Sequence, residues 1–198
     1  MKNSLILLGF FVLGIGAGRL ELIPGFLARG NFELYVLYAL IFFVGIGVGS
    51  DTRALRNILR LHVLGLVVPL AVACGSLAGA AVMALGLAEI SVRDGLAVGA
   101  GFGYYSLSSI LITQIKGEIL GVIALLSNIF REVLTILLVP LLARFFGKLA
   151  PIASGGATCM DTTLPVIHRH LGPRYAVLAA ISGIVLTMLV PVLVPLLL

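Results

Sequence analysis

Charged residues are scarce in this sequence: Asp, Glu, Lys and Arg make up 11% of its 198 residues, whereas hydrophobic residues make up 61%. About a quarter of the residues in a soluble domain are charged, and about half are apolar. A soluble fold of this size could not remove so much apolar surface from water. The scarcity of charge therefore excludes a soluble globular protein and predicts a chain whose main solvent is lipid.

Cysteine is also scarce. The sequence contains only Cys74 and Cys159, which are too few for a disulfide framework or a cysteine metal site. His168 and His170 alternate without a supporting carboxylate or cysteine, so no metal is expected there either. No Walker A pattern occurs, and no catalytic Ser-His-Asp or Cys-His spacing is present. We therefore expect neither an enzyme nor a cofactor. The net charge of +5 is spread between apolar stretches, which argues against a nucleic acid partner.

Long apolar stretches dominate what is present, and a spanning helix needs about 20 mostly apolar residues. The predicted spans are Ser4–Gly18, Phe32–Gly49, Leu61–Leu87, Leu120–Phe146 and Tyr175–Leu198. The first stretch has the basic start of a signal peptide but no clear cleavage site after it, so we expect it to remain as a helix.

Two further apolar stretches, Gly95–Ile115 and Pro151–His170, are interrupted by glycines followed by small hydroxylated residues. Unpaired backbone groups in lipid cost several kcal/mol each, so such interruptions must be sheltered by protein or by a watery cavity. Transporters build their substrate sites from paired interruptions of this kind. The segments Gly103–Ser109 and Gly156–Thr162 share a loose pattern of glycine, small and hydroxyl residues, which is compatible with an inverted repeat.

The distribution of Lys and Arg discriminates between two topologies. If both interrupted segments are re-entrant, eight basic residues lie on one side and four on the other. If both segments cross the membrane, the split is seven to five. The positive-inside rule favours the first arrangement. The two groups are Lys2, Arg53, Arg56, Arg60, Arg144, Lys148, Arg169 and Arg174 inside, and Arg19, Arg29, Arg93 and Lys116 outside.

We therefore predict an all-α polytopic membrane protein with about five transmembrane helices and two re-entrant, broken segments. Its N-terminus lies inside, its C-terminus lies outside, and the re-entrant segments enter from opposite faces. A seven-span topology remains the alternative. Residues 1–198 are expected to form a single membrane transporter domain.

Asp161 is the sharpest candidate for a functional residue, because it lies in the second interrupted segment among Thr158, Thr162 and Thr163. An ionised carboxylate in a low-dielectric site tends to be paired or protonated. Asp161 could thus hold a substrate ammonium group or exchange a coupling proton, with Thr162 beside it. The alternative is a solvated loop residue that caps the following helix.

Asn128, Arg131 and Glu132 lie within one predicted span, where spacings of three and four residues place them on one helical face. Ionisable residues inside a membrane are candidates for substrate or ion binding. The alternative is structural: Arg131 and Glu132 form a pair that also binds the interrupted backbone nearby.

Ser106 and Ser108 follow Tyr105 in the first interrupted segment and could line a binding site with it. Their hydroxyls would bind a carboxylate, and a half-helix N-terminus there would add positive potential for an anion. The alternative is that these serines bond to the backbone of their own helix.

The strings Gly101–Ser108 (Gly-Phe-Gly-Tyr-Tyr-Ser-Leu-Ser), Asn128–Glu132 and Gly155–Val166 resemble the lysine exporter LysO family. The resemblance implies an inner-membrane secondary transporter that exports L-lysine or related cationic amino acids, coupled to an ion, expected to be a proton. Asp161 matches an aspartate regarded as important for transport in that family. The sequence resembles the C-terminal two-thirds of the family, whose typical members carry further N-terminal helices.

This difference in length predicts a partner, either a second copy of the chain or a separately encoded small membrane subunit. We expect the substrate to lie between the interrupted segments, with its side-chain ammonium facing Asp161 and Glu132. Ser106, Ser108 and Thr162 would orient its α-carboxylate and α-amine. Two alternatives are an accessory subunit of a two-component exporter and a cation/proton antiporter of similar fold.

Overall fold

The computed structural model describes residues 64–87 and 89–198, together with eight isolated positions before them (13, 16, 19, 35, 39, 42, 43 and 46). Contacts divide the chain into two compact units, Met1–Val44 and Gly45–Leu198. The helices bounded below all belong to the second unit. The predicted spans Ser4–Gly18 and Phe32–Gly49 lie outside the continuously described residues, and the single-domain prediction stays a prediction.

The described part of the second unit consists of helices and contains no strand, which confirms the all-α prediction. One short segment, Gly156–Met160, is a 3-10 helix. The α-helices are α1 (Leu64–Leu85), α2 (Val92–Gly99), α3 (Tyr105–Lys116), α4 (Glu118–Phe145), α5 (Ala150–Gly155), α6 (Leu164–Leu171) and α7 (Pro173–Leu197).

Three of these helices, α1, α4 and α7, are long and apolar enough to cross a membrane, and they match three predicted spans. Half of the most apolar window of α7 is buried, against 22% of the corresponding windows in α1 and α4. The helix α7 is therefore the centre of the described bundle. The outward side chains of α1 and α4, such as Leu70, Phe130 and Leu137, are exposed and apolar, as lipid requires.

The helices α2 and α3 form a hairpin, residues 92–116, that we call hairpin A. The Ser91 hydroxyl caps α2 by accepting from the Asp94 backbone N–H at 3.1 Å. Lys116, in the last turn of α3, lies 3.1 Å from the Asp94 carboxylate. The hydrogen bond from Ser91 and the charge of Lys116 lower the pKa of Asp94. Because this ion pair joins the first turn of α2 to the last turn of α3, hairpin A begins and ends at the same end of the helix bundle.

The helix α5, the 3-10 helix and α6 form a second hairpin, residues 150–171, that we call hairpin B. Lys148 lies two residues before its start, and Tyr175 lies in the first turn of the helix that follows it. The Lys148 ammonium group lies 5.5 Å from the centre of the Tyr175 ring, at cation–π distance. This contact places the two ends of hairpin B at one level as well.

The two hairpins enter the bundle from opposite ends of α4. Hairpin A leads into the N-terminus of α4 through Gly117, and hairpin B follows its C-terminus. A helix of 28 residues is about 42 Å long, which exceeds the hydrocarbon thickness of about 30 Å. The helix α4 is therefore long enough to cross the membrane, which places the two hairpins at opposite faces. Because each hairpin begins and ends at one end of the bundle, this arrangement favours the predicted pair of re-entrant segments over the seven-span alternative.

Candidate functional site

The tips of the two hairpins meet backbone to backbone. The Ala157 N–H in hairpin B donates to the Phe102 carbonyl in hairpin A at 2.8 Å. Gly103 and Gly156 take positive φ angles of 101° and 63°, which favour glycine. A Cβ atom on Gly156 would also collide with the Phe102 carbonyl. The glycines found in both interrupted segments therefore allow the turns themselves and the close approach between them.

This junction lies level with the middle of the spanning helices. Gly183 is in the middle of α7, and a Cβ atom there would lie 2.6 Å from the Met160 amide nitrogen and 2.8 Å from the Ala157 carbonyl. The residues Gly156, Ala157, Thr158 and Cys159 are all buried. The interrupted backbone of hairpin B is thus enclosed by protein at mid-depth, as its composition predicts.

Asn128, in the middle of α4, binds the tip of hairpin A. Its side-chain oxygen accepts from the Gly103 N–H at 2.7 Å, and its side-chain nitrogen donates to the Ala124 carbonyl at 2.8 Å. Asn128 is 4% exposed, so water does not substitute for these bonds. Its observed role is to satisfy interrupted backbone.

We predict that Asn128→Ala lowers the free energy of unfolding by about 1–3 kcal/mol, the cost of a buried donor left without a partner. The reason is that the Gly103 N–H would then lack an acceptor. Ser109→Ala is the control, because the Ser109 hydroxyl makes only a 3.5 Å contact within its own helix. Thermal unfolding in detergent checks the difference, and equal stability of the two variants would contradict the role given to Asn128.

Arg131, one turn further along α4, binds hairpin B. Its guanidinium donates to the Ser154 carbonyl at 2.7 Å, to the Ala153 carbonyl at 2.9 Å and to the Ser76 hydroxyl at 3.0 Å. Two of these acceptors are carbonyls in the last turn of α5, where the helix dipole is negative. The described residues contain one ion pair, and it does not involve Arg131. Arg131 therefore contacts the interrupted backbone but is not paired with Glu132.

A cavity of about 100 Å³ lies between the hairpin tips, and we call it the tip cavity. It contains five of the predicted site residues, together with residues of both tips. Its lining consists of Gly103, Tyr104, Tyr105, Ser106, Glu132, Ala157, Thr158, Met160, Asp161 and Thr162. Ligand pockets usually measure about 300–1,000 Å³, so this cavity has room for an ion or the end of a side chain rather than for a whole amino acid.

The Asp161 carboxylate makes only local hydrogen bonds. One oxygen accepts from the backbone N–H and from the hydroxyl of Thr162. The helix α6 begins at Leu164 with Thr163 as its N-cap residue and has no side-chain cap. Asp161 therefore does not cap α6, but it is an exposed residue of the turn before this helix, as the solvated-loop alternative predicts, and no described cation pairs with it. Its charge is available to a cationic ligand in the tip cavity.

The predicted hydroxyl and aromatic residues of hairpin A separate into two groups. Tyr105 and Ser106 line the tip cavity at the start of α3. Ser108 is buried, lies outside this lining and donates to the Tyr104 carbonyl at 2.9 Å, as in the predicted alternative of bonding to its own helix. Asn128 and Arg131 also lie outside the cavity lining.

Sequence reasoning missed three contributors to the site. Gly183 looks like any other small residue in an apolar span, yet the hairpin B backbone packs against it. Ser76 binds Arg131, and the Thr135 hydroxyl lies 2.6 Å from the Ser154 hydroxyl. A small or hydroxyl residue inside an apolar helix is the signal in each case, although it does not identify the partner.

Comparison with known proteins agrees with the resemblance seen in the sequence. The family model described as "Lysine exporter LysO" matches residues 8–198. The chain is 35% identical over 193 residues to "Lysine exporter LysO" of Escherichia coli K12, covering 97% of this chain and 63% of that protein. It is 37% identical over 161 residues to "Putative lysine exporter" of Haemophilus influenzae Rd, covering 81% of each protein.

The chain thus spans about 63% of the length of its Escherichia coli relative. No solved structure matches it significantly. A family match over nearly the whole chain, together with long apolar helices, makes it a membrane protein of a transporter family. The chain belongs to the lysine exporter LysO family.

Proposed function

We propose that this chain is a secondary active antiporter of the inner membrane that exports L-lysine or a related cationic amino acid in exchange for a proton. The observation that carries the proposal is the tip cavity. Two carboxylates, Asp161 and Glu132, line it where two oppositely inserted hairpins meet at mid-depth. Neither carboxylate pairs with a cation among the described residues.

In this mechanism the side-chain ammonium of the substrate binds in the tip cavity beside Asp161 and Glu132. Tyr105, Ser106 and Thr162 supply hydroxyl groups around it. An acidic cavity with neutral hydroxyl walls suits a cationic amino acid.

Proton coupling follows from the charge of the carboxylates. Two unit charges 4 Å apart attract by about 1 kcal/mol in water and by about 4 kcal/mol at an effective dielectric constant of 20. Protonation of the acid removes this attraction, which corresponds to a fall in affinity of about fivefold to a thousandfold. A proton arriving from outside would therefore release the substrate cation outward.

The charges of the described residues support an orientation with the mouth of hairpin B in the cytoplasm. That mouth carries basic and histidine side chains and no acidic ones. The mouth of hairpin A carries mixed charges, and the positive-inside rule places the more basic end in the cytoplasm. The hairpin B residues are Arg144, Lys148, His168, Arg169, His170 and Arg174; the hairpin A residues are Glu89, Arg93, Asp94, Lys116 and Glu118.

The active assembly includes a partner in this proposal, either a second copy of the chain or a separately encoded small membrane subunit. A second candidate function is a subunit of a two-component lysine exporter. Lysine efflux that requires a co-expressed small membrane protein would favour this second candidate.

Efflux of labelled lysine from proteoliposomes tests the proposal. With the purified chain and an inward proton gradient, we expect lysine to leave faster than from protein-free liposomes, and protons to enter with it. Collapse of the gradient with a protonophore should slow the efflux. An efflux rate equal to that of protein-free liposomes, with and without any encoded partner, would contradict lysine transport. Proton exit driven by external sodium instead would indicate a cation/proton antiporter.

A further inference from the structure

A groove of about 380 Å³ runs along α1, outside the tip cavity, and we call it groove A. It lies between α1, α2 and α4. One end is at mid-depth beside Ser76 and Arg131, and the other lies beside Leu87 and Gly95, near the mouth of hairpin A. Its size falls within the range of about 300–1,000 Å³ that is usual for small-molecule sites.

A second groove, of about 420 Å³, continues along the same helix toward the mouth of hairpin B, and we call it groove B. It lies between α1 and α5, from Ser76 and Ala153 at mid-depth to Val67 and Leu149. Gly75 and Ser76 line both grooves. The two grooves therefore form one track along α1 that runs between the two ends of the bundle.

The bond between Arg131 and Ser76 interrupts this track at its middle. The guanidinium donates to the Ser76 hydroxyl at 3.0 Å, and Ser76 lies near the centre of α1. The other two bonds of Arg131 hold the last turn of α5. A rearrangement of this one hydrogen bond would join the two grooves without breaking the contacts that hold hairpin B.

Arg131 also brings an uncompensated charge to the track. Its three bonds go to neutral groups, and no described carboxylate lies within ion-pair distance. A guanidinium has five N–H donors, so two remain after these bonds. Arg131 is half-buried, where a cation without a counter-charge is costly, and a carboxylate that binds a guanidinium in two places is its best partner. The site is therefore complementary to a carboxylate.

We propose that grooves A and B are the translocation route of the transported amino acid, and that Arg131 binds its α-carboxylate at mid-depth. The carboxylate would replace the Ser76 hydroxyl on the guanidinium, which opens the track. Glu132, the next residue on α4, faces the tip cavity and offers a negative charge for an ammonium group. This inference rests on the proposed function and adds a receptor for the part of the substrate that all amino acids share.

Cysteine labelling at Gly79 tests the route. Gly79 lines groove A, and a Cβ atom there would meet nothing within 4 Å, so Gly79→Cys is accommodated. The exposed Cys74 is replaced by alanine, and Cys159 is buried. Leu137→Cys is the control, since Leu137 is 64% exposed on the apolar face of α4 and lines neither groove. The probe is a charged, water-soluble methanethiosulfonate applied to proteoliposomes.

We expect Gly79→Cys to react at least about tenfold faster than Leu137→Cys, because thiolates form in water and not in lipid. Lysine should slow this reaction, whereas cadaverine, which is lysine without its carboxylate, should not. Adding Arg131→Gln should weaken the protection by lysine at least about tenfold, the usual value of one hydrogen bond to a charged group. Arg131→Lys keeps the positive charge, so part of the protection by lysine should remain in this variant.

Equal reactivity at the two cysteines would overturn the route, because it would mean that lipid or a partner chain covers the grooves. Equal protection by lysine and cadaverine would overturn the carboxylate site at Arg131. Labelling does not depend on transport. If the wild-type chain exports lysine but lysine does not protect Gly79→Cys, this inference fails and the proposed function stands. If no lysine is exported, the proposed function fails whatever the labelling shows.

Discussion

Asp161→Asn is expected to abolish proton-driven lysine efflux while leaving the fold intact. Asparagine has the same shape and keeps an oxygen that accepts from Thr162, so the local hydrogen bonds survive. What disappears is the negative charge that, in the proposed mechanism, attracts the substrate ammonium and exchanges with a proton. The efflux rate from proteoliposomes should fall by at least about a hundredfold, which lies within the range given above for the loss of one charge pair.

Glu118→Gln is the matched control, because it removes the same charge from an exposed position in the first turn of α4, outside the tip cavity. We expect this variant to export lysine at close to the wild-type rate. Size-exclusion chromatography and helical content should be unchanged for both variants. Efflux from Asp161→Asn at the wild-type rate would remove Asp161 from the mechanism.

Gly183→Ala is expected to stop transport by displacing the tip of hairpin B. The added methyl group would lie 2.6 Å from the Met160 amide nitrogen, 2.8 Å from the Ala157 carbonyl and 2.9 Å from the Met160 Cβ. Backbone atoms cannot rotate away as a flexible side chain can, so hairpin B must shift. Overpacking of this kind costs about 1–3 kcal/mol, which outweighs the gain of about 1 kcal/mol in helix propensity from glycine to alanine.

The displaced residues adjoin Asp161, so lysine efflux should fall by at least about tenfold, since misplacement of a binding group by one ångström can cost a hundredfold. Gly16→Ala is the control, because a Cβ atom at this helical glycine would meet nothing within 4 Å. Melting temperature and efflux should be measured for both variants. Normal efflux from Gly183→Ala would show that transport does not depend on the close packing of hairpin B against α7.

The helix α4 links the two hairpins. Asn128 holds the tip of hairpin A, and Arg131, three residues later, holds the last turn of α5 in hairpin B. The tips also bind each other through Phe102 and Ala157. A rigid-body movement of one hairpin must therefore either carry the other with it or break one of these bonds. In the proposed transport mechanism, this connection would couple the movements of the two hairpins.

The interrupted segments could be predicted from sequence because backbone N–H and C=O groups inside lipid must be hydrogen-bonded or sheltered. Runs of glycine and hydroxyl residues inside apolar stretches must be sheltered, and there are few ways to do so. The two interrupted segments were expected to lie side by side, and Asp161 and the start of α3 do line one cavity. The three described spans and both interrupted segments lie close to their predicted boundaries.

The different contacts that the polar residues make could not be predicted from their spacing in the sequence. Arg131 and Glu132 are neighbours in sequence, but successive residues on a helix point about 100° apart. Arg131 binds α5 and α1, whereas Glu132 lines the tip cavity. Ser106 and Ser108 divide in the same way. Tertiary packing decides which side of a helix contacts a hairpin and which side lines a cavity. The periodicity of a single helix does not give this information.

A cross-link across the tip cavity tests most directly whether the two hairpins enclose the substrate site. Ser106 and Thr162 line this cavity from opposite hairpins, and both are exposed to it. In a Cys74→Ala background, we expect Ser106→Cys and Thr162→Cys to be joined by a short bifunctional thiol reagent, with the bridged peptide identified by mass spectrometry. Lysine should slow the bridging, and neither single variant should form it. Each cysteine reacting singly, from opposite sides of the membrane and without a bridge, would contradict the account.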